Sequence, residues 1–343
     1  MTDDLSAPGR AWVRPGALVL LARVDTVVFD VDGVLLDTSA SYPRVIEEAA
    51  RFYFTHILRW PGRGDPIRAD QVPLLKRAGG FNSDWDVTAA VILFYLAKAA
   101  RLGAVDLGAL VAAPPTLPEF AEAVTRAGGG LGGAVEVALA GLPDALRAGV
   151  LADWDRALID RICCEFYGGE DGCEPMFGFR PRYVRGPGLY RAERAQLGAG
   201  RLLSSGMRLG LYTGRVMGEA LFGLEQAGLA GVFAPEAIAS SDGPYRKPDP
   251  QGLLHLARVL GSRGGIFLGD NVDDALTVRR YREEQPAGAP PFLFAGITGG
   301  VLGDRAEAIF REMGADVIAP EPGAVLDLLV RARQDGGSPA GNC

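Results

Sequence analysis

The sequence predicts an α/β protein whose core is a parallel sheet interrupted by a long helical segment. A β-branched and apolar run at residues 27–29 indicates a buried central strand, and it stops abruptly at Asp30 and Asp32. After residue 207, strand-like runs alternate with helical stretches, which is typical of βαβ units. Between these two regions the hydrophobic pattern is helical. Together these observations indicate one α/β core with a helical insert after its first strand.

The insert is predicted to be helical over residues 42–60, 69–78, 84–102, 153–167 and 189–204. Its middle part, residues 103–149, is rich in Ala, Gly and Pro and is the most loosely specified part of the chain. Short helices and flexible connections are both compatible with that composition.

The remainder of the core follows the insert. Strands are predicted over residues 207–212, 236–239, 265–268, 291–297 and 316–318, and helices over 216–227, 250–260, 273–284, 303–313 and 323–333. We therefore expect a three-layer, Rossmann-like core formed by residues 1–38 and 204–333, a helical insert over 39–203, and a disordered tail over 334–343.

Composition and charge exclude several classes of protein. The 343 residues are 48% hydrophobic with a net charge of −7, so a large core is expected and a nucleic-acid partner is not. The apolar run at residues 17–22 is flanked by charges and is too short to span a bilayer, so neither a membrane helix nor a signal peptide is predicted. The four cysteines lack CxxC spacing, which favours reduced thiols and a cytoplasmic location. The oligomeric state is not indicated.

Polar side chains follow four of the predicted strands. In open α/β sheets the ligand site lies at the carboxyl ends of the strands, so these segments are expected to meet at one edge. They carry Asp30 and Asp32, Thr213 and Gly214, Lys247, and Asp270 and Asp274. Aspartates at a strand end often only cap a turn. That interpretation does not explain why polar groups recur at the other three strand ends.

On these four motifs the sequence resembles the haloacid dehalogenase-like superfamily of aspartate-nucleophile phosphohydrolases. The resemblance covers residues 24–38 and 204–320, with all four family motifs in order. The helical insert after the first motif is similar to the cap of the phosphoglycolate-phosphatase-like branch. The resemblance implies that Asp30 is the nucleophile and Asp32 the general acid/base. It also implies that Thr213, Gly214 and Lys247 bind the substrate phosphate.

The same resemblance implies a Mg²⁺ cofactor. Its ligands would be the Asp30 carboxylate, the Asp32 backbone carbonyl, Asp270, and Asp274 acting through a water molecule. The physical logic agrees, because an anionic nucleophile approaches an anionic phosphate only when positive charge offsets their repulsion. Lys247 and a bound cation would supply that charge.

The expected function is a Mg²⁺-dependent phosphatase that acts on a small phosphorylated metabolite through an aspartyl-phosphate. The carboxylate of Asp32 favours phosphate chemistry, since dehalogenases of this fold typically lack it. Two alternatives stay open, a phosphomutase that uses the same residues and a non-catalytic module that binds a phosphate ligand. The sequence does not identify the substrate.

Two further features have competing interpretations. The loop at residues 79–85 carries Asn82, Asp84 and Trp85, which would either read the leaving group of the substrate or form a structural turn that caps the next helix. Arg215 stands where the family commonly has asparagine. It would either reach the substrate or pair with an acidic residue on the surface.

Overall fold

The computed structural model describes residues 11–81, 83–300 and 302–336, and the chain divides into two compact units. One unit combines the residues up to Thr38 with those from Glu193 onward, and the other is Ser39–Ala192. Among the described residues, no helix has the length and apolar character needed to cross a membrane.

The strands in chain order are β1 (Trp12–Val13), β2 (Thr26–Phe29), β3 (Leu36–Asp37), β4 (Arg194–Ala195), β5 (Arg208–Tyr212), β6 (Ile238–Ala239), β7 (Gly265–Gly269), β8 (Phe292–Ile297) and β9 (Val317–Ala319). The helices are α1 (Leu18–Leu21), α2 (Tyr42–Phe52), α3 (Val72–Lys76), α4 (Asp84–Leu102), α5 (Leu107–Ala112), α6 (Leu117–Arg126), α7 (Gly130–Leu139), α8 (Asp144–Asp153), α9 (Arg156–Phe177), α10 (Ala199–Ser204), α11 (Met217–Gln226), α12 (Gln251–Leu260), α13 (Val272–Glu284), α14 (Ala306–Glu312) and α15 (Pro322–Gly336).

The first unit contains a seven-stranded sheet in the order β1-β9-β8-β7-β2-β5-β6. All neighbouring strands are parallel except β1, which runs antiparallel to β9. Strand β2 lies in the interior of the sheet, where Phe29 is paired with Leu211 on one side and with Leu268 on the other. The predicted α/β class and parallel core are confirmed.

Strand β2 forms because both of its faces can be buried. Val27 and Phe29 enter one hydrophobic cluster of the core, and Val28 enters the cluster on the opposite face. Burial of each such side chain is worth about 1.5–3 kcal/mol, so a short run of apolar residues suffices to fix a central strand. The strand ends where the next residue, Asp30, is a carboxylate.

The second unit is helical. Its most deeply buried helix is α4, which begins after the N-cap Ser83 and ends before Gly103, a residue in the left-handed conformation. A π-helical turn, Tyr53–Ile57, extends α2. Residues 103–149, for which two interpretations were open, contain the short helices α5, α6 and α7, their turns, and the first part of α8.

Some local predictions differ from the structure. The helix expected over 189–204 is instead a 3₁₀ turn (Leu189–Ala192), strand β4 and helix α10. Pairing of β4 with β3, continued by the hydrogen bond from Gln196 N to Leu35 O, holds this segment extended. The sequence pattern also missed β1 and α1. Helix α15 continues to Gly336 and so includes the first residues of the expected tail, the rest of which lies outside the described residues.

Candidate active site

Asp30 lies at the carboxyl end of β2 and is almost fully buried. Its backbone N–H donates to Leu268 O over 2.9 Å, which continues the pairing with β7 by one residue. Its side-chain Oδ1 accepts a hydrogen bond from Val31 N at 2.7 Å, and its Oδ2 lies 2.8 Å from Lys247 Nζ. Both carboxylate oxygens are therefore held in fixed directions.

Lys247 reaches the same point from the segment that follows β6. Its Nζ lies 2.8 Å from Asp30 Oδ2 and 2.8 Å from Asp274 Oδ1. The segment is anchored by the hydroxyl of Tyr212, which donates to Asp249 O at 2.8 Å. The Tyr212 ring fits only because residue 252 is glycine, where a Cβ would lie 2.3 Å from the Cζ of that ring. Sequence reasoning did not single out Tyr212, because a buried tyrosine in a strand gives no signal of its own.

Asp274 is positioned by the first turn of α13. Its Oδ2 accepts hydrogen bonds from Asp270 N at 3.1 Å and from Asn271 N at 3.2 Å. The side chain of Asn271 in turn accepts from Asp273 N and Asp274 N, which forms a capping box. One oxygen of Asp274 thus holds the backbone of this turn, and the other holds Lys247.

Three buried carboxylates meet at this edge of the sheet. One oxygen from each of Asp30, Asp270 and Asp274 lies within 4.8 Å of the others. Gly33 confines Asp270 from one side, because a Cβ at Gly33 would lie 2.0 Å from Asp270 Oδ2. Hard carboxylate oxygens crowded in this way fit a small divalent cation such as Mg²⁺. These residues are therefore chemically suited to hold one.

The charges of the cluster explain the direction of its pKa shifts. Burial raises the pKa of Asp30 well above its usual range, and although Lys247 opposes this, the carboxylates of Asp274, Asp32 and Asp270 add to it. Burial alone would lower the pKa of Lys247, but Asp274 and Asp30 outweigh burial and raise it, so the ammonium stays protonated. One ammonium does not balance the three buried carboxylates of Asp30, Asp270 and Asp274. A bound cation would favour the ionised form of Asp30.

Thr213 follows β5, the neighbour of β2, and lies at the same edge of the sheet as Asp30. Its N–H donates to Ala239 O at 2.9 Å, and its Oγ1 accepts from Arg215 N at 3.1 Å. The hydroxyl hydrogen can still be donated to an anion. Gly214 follows directly in the chain.

Asp32 is the most accessible of these acidic residues, with a side chain that is 26% exposed. Nε and Nη2 of Arg215 both donate to its Oδ1, over 3.0 and 2.6 Å. The same Nη2 lies 3.1 and 3.0 Å from the two carboxylate oxygens of Glu193. Arg215 does pair with acidic residues, but it is buried, so the alternative of a surface pair is wrong. The alternative that it reaches the substrate is not tested by these contacts. Glu193 was not foreseen, since it lies in a segment predicted to be helical.

The loop at residues 79–85 belongs to the second unit. Asn82 lies outside the described residues. Ser83 caps α4, and Asp84 Oδ1 lies 3.0 Å from Lys76 Nζ. Trp85 packs against Tyr42 and Tyr167, with ring centroids 5.7 and 6.3 Å away. These contacts agree with the structural interpretation of the loop. They do not test whether the loop contacts the leaving group of the substrate.

Comparisons with solved structures agree with this architecture. The chain is 25% identical to a phosphatase, Tt82, from Thermococcus thioreducens, over 89% of this chain and 98% of that one, with a TM-score of 0.57. A structural genomics target, ZR25, is 18% identical over 90% of this chain and 100% of its own length, with a TM-score of 0.54. A HAD family hydrolase from Deinococcus radiodurans R1, solved with bound phosphate and sodium, is 17% identical over 91% and 97%, with a TM-score of 0.46. No family model and no curated protein matches the sequence.

Proposed function

We propose that this chain, which has the haloacid dehalogenase-like fold, is a phosphatase that hydrolyses a small phosphorylated metabolite with Asp30 as its nucleophile. The observation that carries the proposal is the buried contact between Asp30 Oδ2 and Lys247 Nζ, beside Asp270 and Asp274. A carboxylate at the end of a central strand, held by a buried ammonium, is suited to attack an anionic phosphorus centre. The likeness to a phosphatase of nearly the same length supports the reaction class.

Substrate binding requires positive charge and hydrogen-bond donors. Lys247, the Thr213 hydroxyl and the backbone of Gly214 would bind the phosphate oxygens. Mg²⁺ would be held by Asp30, Asp270 and the Asp32 carbonyl, with Asp274 acting through water, and when bound it would offset the charge of the phosphate. Asp274 would have a second role, since its Oδ1 orients the Lys247 ammonium.

The first half of the reaction transfers the phosphoryl group to the enzyme. An oxygen of the Asp30 carboxylate forms a bond to phosphorus, and the bond between phosphorus and the leaving oxygen breaks. The electron pair of that bond stays on the leaving oxygen, which takes the proton of the Asp32 carboxyl group. The alcohol departs, and an aspartyl-phosphate remains on Asp30.

The second half regenerates the enzyme. Asp32, now a carboxylate, takes a proton from a water molecule whose oxygen attacks phosphorus. The bond between phosphorus and Asp30 breaks, its electron pair returns to the carboxylate, and inorganic phosphate leaves. Asp32 is then protonated again, as the next turnover requires.

Substrate choice is proposed to depend on the second unit, acting as a helical cap, through Asn82, Asp84 and Trp85. A phosphatase screen over a panel of phosphorylated metabolites with Asn82→Ala and Trp85→Ala tests this idea. An unchanged order of substrate preference in both variants would assign the loop a purely structural role.

The experiment that tests the function is phosphate release from para-nitrophenyl phosphate, with Mg²⁺ and with a chelator. We expect activity that disappears on chelation, returns with Mg²⁺, and is absent in Asp30→Asn. The matched control is Asp25→Asn, since Asp25 is a buried aspartate directly before β2, at the opposite end of the same strand. Full activity in Asp30→Asn would contradict the nucleophile, and turnover of a sugar phosphate without phosphate release would indicate a mutase.

A further inference from the structure

Arg215 forms a buried ionic bridge between two acidic residues of the first unit. Its side chain is 1% exposed, that of Glu193 7%, and that of Asp32 26%. The guanidinium donates twice to Asp32 Oδ1 and also contacts both oxygens of Glu193. Removing these charged groups from water costs solvation free energy, so a buried ion pair adds little net stability. We therefore look for the role of this bridge in the side-chain conformation that it fixes.

Several contacts fix the bridge in place. The backbone N–H of Arg215 donates to Thr213 Oγ1 at 3.1 Å, and its carbonyl accepts from Ser241 N at 2.9 Å. Helix α11 leaves space for the guanidinium at Gly223, where a Cβ would lie 2.6 Å from Arg215 Nη1. Arg215 is therefore held in place both at its backbone and at its guanidinium group.

We propose that Arg215 is a positioning residue for the reaction proposed above, and that Glu193 holds Arg215 in place. Arg215 aims the Asp32 carboxyl group so that Oδ1 is fixed and Oδ2 faces the reacting oxygen. Within the described residues, hydrogen bonds from the guanidinium to Asp32 go to Oδ1. The inference rests on the proposed function, because it concerns the group that moves the proton.

Orientation matters here because proton transfer has a short range. A general acid must lie within hydrogen-bond reach of the leaving oxygen, and a misplacement of about 1 Å can cost roughly a hundredfold in rate. The proton of Asp32 passes to the leaving oxygen as its bond to phosphorus breaks. A poor leaving group, such as an alkoxide, needs that proton, whereas para-nitrophenolate departs without it. Comparison of the two types of substrate therefore distinguishes misorientation of the Asp32 carboxyl group from a general loss of activity.

Glu193 lies where the chain returns to the first unit, and from there it can hold Arg215 in place. It is the first residue of the returning segment of the first unit and directly precedes β4, which is paired with β3. Residue 36 of β3 also forms a bridge with Asp32. Glu193 and the backbone near Asp32 are thus tied to the same short ribbon.

The test compares benzyl phosphate, which has an alkoxide leaving group, with para-nitrophenyl phosphate in the full-length protein with Mg²⁺. We expect Arg215→Met to lower kcat/KM, which reports only the steps up to phosphoryl transfer to Asp30, by about a hundredfold on benzyl phosphate and by less than about threefold on para-nitrophenyl phosphate. Glu193→Gln keeps the shape of the side chain and leaves Arg215 unchanged. We expect it to change the ratio of kcat/KM between the two substrates in the same direction by about tenfold. The second variant decides the question if Arg215→Met does not fold.

Arg282→Gln is the matched control, since Arg282 also pairs with a buried aspartate, Asp316, in the same unit. Its ratio between the two substrates should equal that of the wild type. Equal losses on both substrates in Arg215→Met and Glu193→Gln, or no loss, would overturn the inference while leaving the phosphatase proposal intact. A wild type that hydrolyses neither substrate would overturn the phosphatase proposal, and the inference with it.

Discussion

Lys247 Nζ lies 2.8 Å from Asp30 Oδ2, and both side chains are less than one tenth exposed. Asp30 directly follows β2, whereas Lys247 lies in the segment between β6 and α12, and the same ammonium also contacts Asp274 at 2.8 Å. An ammonium placed between two buried carboxylates stabilises both charges and directs one oxygen of Asp30, the proposed nucleophile. This contact links the stability of the core to the proposed chemistry.

Replacement of Lys247 should therefore affect stability and activity together. With a chelator present, Lys247→Gln should lower the free energy of unfolding by about 3 kcal/mol, because two carboxylates lose their buried partner. With Mg²⁺, kcat/KM should fall by about 10²- to 10³-fold, since one fixed positive group is lost from the proposed phosphate site. Urea unfolding and phosphate release measure the two effects. An unchanged free energy of unfolding would contradict the charge balance described above.

Gly33 is predicted to be required for cation binding. Its φ is +70°, and a Cβ there would lie 2.0 Å from Asp270 Oδ2. Gly33→Ala should displace Asp270 and reduce the increase in Tm that Mg²⁺ produces. The control is Gly16→Ala, with φ +84° and nothing within 4 Å of the added Cβ. Both changes place a Cβ on left-handed backbone, which costs about 1–2 kcal/mol. A normal Mg²⁺ response in Gly33→Ala would contradict the proposed ligand role of Asp270.

Asp25 should make the stability of the protein depend on pH. Burial raises the pKa of Asp25, but hydrogen bonds from Arg263, Thr26 and Gly264 outweigh burial and lower it to about 2. A lowered folded pKa adds stability that is complete above the unfolded pKa of about 4 and is lost as pH falls towards about 2. Since Arg263 is largely exposed and screened, the contribution at neutral pH should be at most about 2 kcal/mol.

Urea unfolding at several pH values measures this contribution. Asp25→Asn should be less stable than the wild type at pH 6, and the difference should shrink as the pH falls below about 4. A difference that stays constant over this range would contradict the assignment of the pKa shift to the folded state.

The loop of the second unit contains a testable ion pair. Lys76 and Asp84 lie 3.0 Å apart, with side chains that are 12% and 21% exposed. A double-mutant cycle with Lys76→Met and Asp84→Asn should give a coupling free energy of about 1 kcal/mol. A coupling near zero would leave Asp84 free to act on a ligand.

The positions of Asp30 and Thr213 could be predicted from the sequence because the strands that precede them, β2 and β5, are buried on both faces. Such strands are short apolar runs, and β2 and β5 stop where polar residues begin. The rule that parallel strands end at one edge then brought Asp30 and Thr213 together without knowledge of any contact. The α/β core was predictable for the same reason.

The surroundings of Asp32 were not predictable. Arg215 has a long side chain that can reach acidic residues in several segments, and periodicity does not choose among them. Strands β3 and β4 contain two residues each, too few to show alternation, so the segment around Glu193 looked helical. Only the tertiary structure reveals that bridge.

The central claim is that Asp30 carries the phosphoryl group, and mass spectrometry of acid-quenched enzyme tests it most directly. Enzyme mixed rapidly with substrate and Mg²⁺, quenched and digested should contain one additional phosphoryl group on the peptide that includes Asp30. The adduct should be absent from Asp30→Asn and present in Asp25→Asn. A phosphoryl group on another residue, or full turnover by Asp30→Asn, would contradict the account.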